Sequence, residues 1–198
     1  MLIKWWQGTD AYTLYKYPPS DRLQWYIKIF LRRLFWKLFH SYFTHWINHP
    51  EMGYILDNVG ISNYTLRENP DYDHTKYNKI PHNSFNILYY HPKKRNQKWI
   101  KWIYGIETIF SIMAEQSKNN SVNWIRLDGT IDMEDVLSIA DCYIKVNTHI
   151  GSGKNRIAKE CFINNIPVIY TDYNKSIKDN IEHIVRNINE LRKNASTA

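Results

Sequence analysis

The loop near residue 150 combines glycines with cations between a predicted strand and a predicted helix. Gly151 and Gly153 follow the apolar alternation of residues 142–146, and Lys154 and Arg156 lie where helical periodicity begins. A glycine loop at a helix start lets unpaired backbone N–H groups and the positive end of the helix dipole meet a phosphate. We therefore predict a phosphate-binding loop. The alternative is an ordinary connection, since GSGKN lacks both the full phosphate-loop pattern and the dinucleotide pattern.

Two other sets of residues have types that bind metals. Asp71 and Asp73 form a D-x-D pair in a polar, proline-punctuated stretch, and we interpret them as loop aspartates rather than metal ligands because no apolar strand precedes them. Cys142 and Cys161 lack C-x-x-C spacing, which indicates reduced core thiols of an intracellular protein. We expect no metal site and no cofactor.

A long basic and aromatic run is predicted to be helical from about residue 21 to residue 47. It has too many charges to span a bilayer. Two interpretations stay open: a helix packed on the core with a solvated basic face, or a helix lying in a membrane interface. The cations of this run are Arg22, Lys28, Arg32, Arg33 and Lys37.

Residues 85–198 alternate between strand and helix patterns. Predicted strands FNILYY, VNWIRL, CYIKV and IPVIY are separated by helices, of which the one over 99–117 places Ile103, Ile106, Phe110 and Met113 on one face. Such alternation predicts an α/β fold with a mostly parallel, Rossmann-like sheet and helices on both faces. We predict a mainly helical N-terminal segment over 1–62, a linker over 63–84, and the Rossmann-like domain over 85–198.

The segment ADCYIKVNTHIGSGKNRIAKECFINNIPVIYTD, residues 140–172, resembles the nucleotide-sugar-binding segment of retaining glycosyltransferases with two Rossmann domains. In that architecture, GT-B, the group 1 or family 4 proteins carry the same order of features. They have an alanine-aspartate before a strand, a glycine loop, a glutamate in the next helix and a small-residue-Pro-Val start to the next strand. Here these features are Ala140-Asp141, the glycine loop, Glu160 and 166–168, and the resemblance extends faintly over 85–172.

The resemblance implies a role for each residue of a donor site. Glu160 would bind the ribose hydroxyls, while Ser152 stands where the family has a first glutamate, so that His149 or Ser152 takes over the sugar contact or the sugar site is altered. The cations after the first strand would face the donor diphosphate, and Asp128 would lie near the base. It assigns catalysis to Lys94, Arg95 and His149; donor binding to His91, Lys93, Lys98, Asp128, Gly129, Gly151, Ser152, Gly153, Lys154, Asn155, Arg156 and Glu160; and the acceptor side to Gly8 and Asp10, in a G-x-D turn after the strand LIKWW.

The implied activity is sugar transfer with retention from a nucleotide-sugar to a lipid, glycan or protein acceptor. Cations and helix-start amides would stabilise the departing nucleoside diphosphate without a metal. Because about sixty residues precede the predicted linker, one alternative is a noncatalytic nucleotide-sugar-binding remnant, or a half-enzyme that a partner chain or a second copy completes. A net charge of +7 also fits an anionic membrane surface. We predict a cytoplasmic protein, peripheral on the inner membrane surface; a nucleic-acid-binding module is the remaining alternative.

Overall fold

The computed structural model describes residues 2–6, 8–16, 22–67, 75–92, 98–116, 122–148 and 156–195, without the side chains of 8–10 and 98–100. These residues form two compact units, one drawn mainly from residues 1–72 and the other from most of 73–198. Each unit contains its own parallel sheet with helices packed on it. The predicted α/β class is therefore confirmed, and the second unit is consistent with a Rossmann-like fold.

The first unit is built on a three-stranded parallel sheet. Strands β1, β2 and β3 lie in that order, with Leu2 opposite Phe43 and Ile47 opposite Leu66. The central strand buries His45, whose Nδ1 accepts from Trp6 Nε1 at 2.9 Å and whose Nε2 donates to the His40 carbonyl at 2.9 Å. The elements are β1 (Leu2–Trp6), α1 (Gly8–Tyr15), α2 (Leu23–Phe39), β2 (Phe43–Ile47), α3 (Pro50–Asp57) and β3 (Tyr64–Leu66).

This unit corrects three sequence predictions. The helix predicted to reach residue 47 ends at Phe39, because FTHWI pairs with β1 as a strand and satisfies its backbone groups in the sheet. Gly8 and Asp10 lie in the first turns of α1 rather than in a G-x-D turn. The N-terminal segment is thus not simply helical, and the short strand β3 lies inside the stretch interpreted as a linker.

The second unit contains a four-stranded parallel sheet in the order β5-β4-β6-β7. One apolar cluster packs α5 and α8 on one face through Ile109, Ile112 and Ile184, and another packs α6 and α7 on the opposite face. Helices on both faces were predicted and are confirmed. The elements are β4 (Phe85–Tyr90), α4 (Lys98–Ile103), α5 (Ile106–Gln116), β5 (Val122–Leu127), α6 (Met133–Leu137), β6 (Cys142–Lys145), α7 (Arg156–Ile163), β7 (Val168–Tyr170) and α8 (Ile177–Ala195).

Local chemistry explains where the helices of this unit begin and end. Asp132 caps α6 by accepting from the Glu134 amide at 3.1 Å. Helix α7 ends before Asn164-Asn165, where Asn165 has a φ of 56° and the Ile166 amide donates to the Cys161 carbonyl at 2.8 Å. These bonds satisfy carbonyls that the end of a helix otherwise leaves unpaired.

The predicted apolar face of residues 99–117 was partly wrong. The single helix predicted over 99–117 is interrupted at Gly105, which has a φ of 59°, and the break rotates the buried face of α5 onto Ile109 and Ile112. Phe110, predicted to be buried, is half exposed. On α7, Phe162 is 79% exposed.

The second unit also holds part of the predicted linker, as well as both cysteines. The Ile80 amide donates to the Ser138 carbonyl at 2.8 Å, and the Tyr77 amide donates to Asn164 Oδ1 at 2.7 Å. Cys142 and Cys161 are buried and unpaired, and burial raises the pKa of the Cys161 thiol to about 12. Both are core thiols, as predicted.

Candidate functional site

The carboxyl ends of β4 and β6 form a topological switch point. The chain leaves β4 for β5 on one side of the sheet, and leaves β6 for β7 on the other. Parallel α/β sheets bind ligands in the crevice beyond the strand ends at such a point. Tyr89 pairs with Ile144, so the last residues of the two strands, Tyr90 and Lys145, lie next to each other at this edge. We therefore take the carboxyl ends of β4 and β6 as the candidate site.

Arg126 holds the exit of β4 in place. Its Nε donates to the His91 carbonyl at 2.8 Å and its Nη2 to the Pro92 carbonyl at 3.1 Å, while the His91 amide donates to the Leu127 carbonyl. Burial, and then the positive charges of Arg126 and Lys101, lower the pKa of His91. His91 is therefore neutral at pH 7 and available as a hydrogen-bonding group rather than as a cation.

The turn after β5 is closed by its own side chains. Asp128 Oδ1 accepts from the Thr130 amide at 3.0 Å and from its hydroxyl at 2.6 Å, and Gly129 has a φ of 90°. Only glycine adopts that conformation readily, which explains the DGT sequence. The carboxylate of Asp128 thus has a local structural role at the edge where the sequence predicted a donor-binding group.

The exits of β6 and β7 are tied together by Asn147 and Thr171. The Asn147 amide donates to Thr171 Oγ1 at 2.7 Å, and Asn147 Nδ2 donates to the Thr171 carbonyl at 3.2 Å. Thr148 Oγ1 donates to the Ile103 carbonyl at 3.1 Å, and a Cβ at Gly105 would overlap the side chain of Val146. The backbone of residues 146–148 is therefore held by contacts with the segment after β7 and with the end of α4.

Lys145 is a candidate residue that the sequence predictions missed. It is 8% exposed, and its Nζ donates to the Val146 carbonyl at 3.1 Å. Burial lowers its pKa to about 8. The sequence did contain a signal for this burial, since a lysine interrupts an apolar strand that was predicted to have helices on both faces. Strand alternation alone, however, suggests that such a lysine faces solvent.

Glu160 lies in the second turn of α7, the helix that follows β6. It is 9% exposed, and its Oε1 is 2.7 Å from Arg156 Nε. Spacing of four residues puts the two side chains on the same side of the helix. A buried carboxylate held by one guanidinium nitrogen can accept further hydrogen bonds from a ligand.

Asp141, which is part of the resemblance, lies at the amino ends of the strands, opposite the candidate site. Its Oδ2 accepts from the Asn86 amide at 2.8 Å, and its Oδ1 is 3.3 Å from Lys79 Nζ and 3.6 Å from His82 Nε2. It joins the amino ends of β4 and β6. Its role is therefore structural.

The remaining predicted residues divide into two groups. Lys98 is the first residue of α4, and the structure describes its backbone but not its side chain, as for residues 8–10. Outside the described residues lie the D-x-D pair Asp71 and Asp73 and the predicted site residues Lys93, Lys94, Arg95, His149, Gly151, Ser152, Gly153, Lys154 and Asn155.

Comparisons with protein-family models, with curated proteins and with solved structures found no match to this chain.

Proposed function

We propose that this chain is a glycosyltransferase of the GT-B type, transferring a sugar from a nucleotide-sugar to an acceptor with retention and without a metal. One observation carries the proposal: a buried carboxylate, Glu160, stands on the helix that follows a central strand at a topological switch point. The order of motifs from Ala140 to Asp172 supports it, because the glutamate and the glycine loop occur in the sequence positions that the resemblance requires.

In this proposal Glu160 binds the ribose of the donor. A carboxylate can accept hydrogen bonds from two hydroxyl groups, and Glu160 Oε1 already accepts from Arg156 Nε at 2.7 Å. Arg156 also brings a positive charge to the start of α7, close to where the donor diphosphate would lie. The pair would therefore connect recognition of the pentose with neutralisation of the phosphates.

The chemical step requires stabilisation of a leaving group that gains negative charge. We propose that the loop cations Lys94 and Arg95, with the first amides of α7, stabilise the departing diphosphate electrostatically. His149 or Ser152 would hold the sugar where the family has a glutamate. Neutral His91 would donate a hydrogen bond at the same edge.

Binding of a donor is tested by calorimetric titration of UDP-, GDP- and ADP-sugars into the full chain and into Glu160→Gln. The substitution keeps the size of the side chain but removes its charge, so we expect about tenfold weaker binding, as for the loss of a charge-assisted hydrogen bond. Glu115→Gln, an exposed glutamate on α5, is the matched control and should bind like the parent protein. Equal dissociation constants for all three proteins would contradict the ribose role.

Catalysis is tested separately, by release of nucleoside diphosphate from the donor that binds most tightly. We expect release that depends on Glu160 and continues in the presence of a metal chelator. A donor that binds but is never cleaved, with any acceptor extract, would favour the noncatalytic remnant.

A further inference from the structure

Lys145 carries a buried charge that the described residues do not neutralise. Its one hydrogen-bond partner is the carbonyl of the next residue, Val146, and no carboxylate among the described residues pairs with it. An ammonium group has three donors, so two are left without a described acceptor. Burying a charge without a partner is costly, and such groups usually bind a counter-ion or lose their proton.

A small cavity lies beside this ammonium group. Tyr90, Tyr104, Tyr143, Ile144 and Val146 line it together with Lys145, and its volume is about 20 Å³. That volume holds one water molecule or one oxygen atom of a larger ligand. The cavity therefore lies beside a buried cation that has spare donors, at the carboxyl ends of the strands, where this kind of sheet binds ligands.

We propose that Lys145 binds an anionic oxygen of a phosphate group at the switch point between β4 and β6. Lys145 is 8% exposed, and shielding from solvent strengthens the attraction between an ammonium group and a phosphate oxygen. This inference goes beyond sugar transfer, because the phosphate can belong to any nucleotide or phosphorylated metabolite.

The test is calorimetric titration of the full chain with inorganic phosphate, pyrophosphate and citrate. Lys145→Met keeps the length and apolar stem of the side chain but removes the charge. Lys76→Met, at an exposed lysine, is the matched control. We expect pyrophosphate to bind the parent chain and Lys76→Met equally, and to bind Lys145→Met about tenfold more weakly or not at all.

A second measurement uses the parent protein and therefore does not depend on whether a variant folds. In protein with carbon-labelled lysine, the Cε resonance of Lys145 should shift when pyrophosphate is added. A Lys145→Met dissociation constant within twofold of the parent value, an unmoved resonance, or tighter binding of citrate than of pyrophosphate would each overturn the proposal. Pyrophosphate binding without sugar-nucleotide binding would contradict only the glycosyltransferase function.

A separate observation concerns α2, which exposes an apolar stripe. Leu23, Ile27, Phe30, Leu31, Leu34 and Leu38 are 43–75% exposed. Their spacing of three, four, seven and eight residues puts them on one side of the helix. Trp36 and Ile29 are buried on the other side. An exposed apolar surface of this kind marks contact with a membrane or another protein.

The charges around the stripe are all of one sign. No Asp or Glu occurs between Asp21 and Glu51, whereas Lys28 and Lys37 are exposed. With about 3.6 residues per turn, these two lysines fall on opposite flanks of the stripe. Lysines in that position reach the headgroups while the apolar side chains enter the acyl region. No helix in the described part of the chain has both the length and the apolarity needed to cross a bilayer.

We propose that α2 lies in the surface of an anionic membrane. The single sign of its charge favours anionic lipid over a second copy of the chain, since two such helices would repel each other. This proposal is independent of any activity of the second unit.

Co-sedimentation with phosphatidylcholine vesicles, with and without phosphatidylglycerol, tests it. The parent chain and Phe162→Gln, which removes an exposed apolar side chain from α7, should bind the anionic vesicles. Leu31→Gln/Leu34→Gln/Leu38→Gln should lose binding to them. Lys28→Glu/Lys37→Glu should bind at least about thirtyfold more weakly, because each of the two basic residues contributes about 1 kcal/mol near an anionic surface.

Three results would overturn the membrane proposal. One is equal vesicle binding by the triple glutamine variant. The second is a dimer that this variant dissociates, with no binding to vesicles. The third is binding to single-stranded oligonucleotides that depends on Lys28 and Lys37, again without binding to vesicles.

Discussion

At the scale of single residues, Lys145 should make the stability of the chain depend on pH. Its pKa is about 8 in the folded protein and 10.5 in an exposed lysine. Between these values the unfolded chain binds a proton that the native chain lacks, so the free energy of unfolding rises with pH. Below pH 8 both states carry the proton, and the native state bears the full cost of burying it.

Lys145→Met should therefore be more stable than the parent chain at pH 7, by about 3.5 kcal/mol, since the folded-state pKa lies about 2.5 below that of an exposed lysine and a pKa change of one corresponds to about 1.4 kcal/mol. The gain should disappear towards pH 10.5. Urea unfolding at pH 7 and pH 10 measures both effects, with Lys76→Met as the control that shows neither. A Lys145→Met variant that is less stable at pH 7 would mean that the ammonium makes a favourable contact which the described residues lack.

Glu160 and Lys145 show what spacing reveals about single residues. Glu160 was predictable because its relation to Arg156 is local, four residues along one helix. Lys145 was not, because its burial depends on α7 and α5, which cover the two faces of β6 and come from distant parts of the sequence. A lysine between Ile144 and Val146 has the same local pattern whether one face of the strand is solvated or not.

At the scale of elements, the parallel sheet of the second unit was predictable and helix boundaries were less so. All four strands were located, because each is an apolar run bounded by turn residues. The interruption at Gly105 was missed, because it follows from a tertiary contact: the close approach of Val146 leaves no room for a Cβ. The apolar period of 103–113 runs through the break, so it correctly indicated Ile103 and Ile106 but gave Phe110 in place of Ile109 and Ile112.

The first unit was predicted least well, also because of tertiary contacts. Residues 43–47 continue the aromatic run of α2 and have no glycine or proline before them. Their strand exists because β1 lies beside it, with five paired positions, and because Trp36 packs on Phe43 at 4.9 Å between ring centroids. Strand β3 has three residues, too few for a periodic signal.

At the scale of the whole molecule, the second unit should fold without the first. Both apolar clusters of its sheet are formed by residues 77–191, so each strand finds its packing partners within the unit. The segment from residue 75 also belongs to it, through the bonds of Tyr77 and Ile80 to Asn164 and Ser138. About 120 residues are sufficient for one hydrophobic core.

A fragment of residues 73–198 is therefore expected to unfold in one cooperative transition in urea, with near-ultraviolet circular dichroism from its packed tyrosines and tryptophans. A fragment of 85–198 is the informative comparison. It removes the backbone hydrogen bonds of Tyr77 and Ile80 and the ion pairs that Lys79 and His82 make with Asp141, and should be less stable by about 2 kcal/mol. A fragment of 73–198 without near-ultraviolet signal or a cooperative transition would mean that the core of this sheet forms only in the presence of residues 1–72.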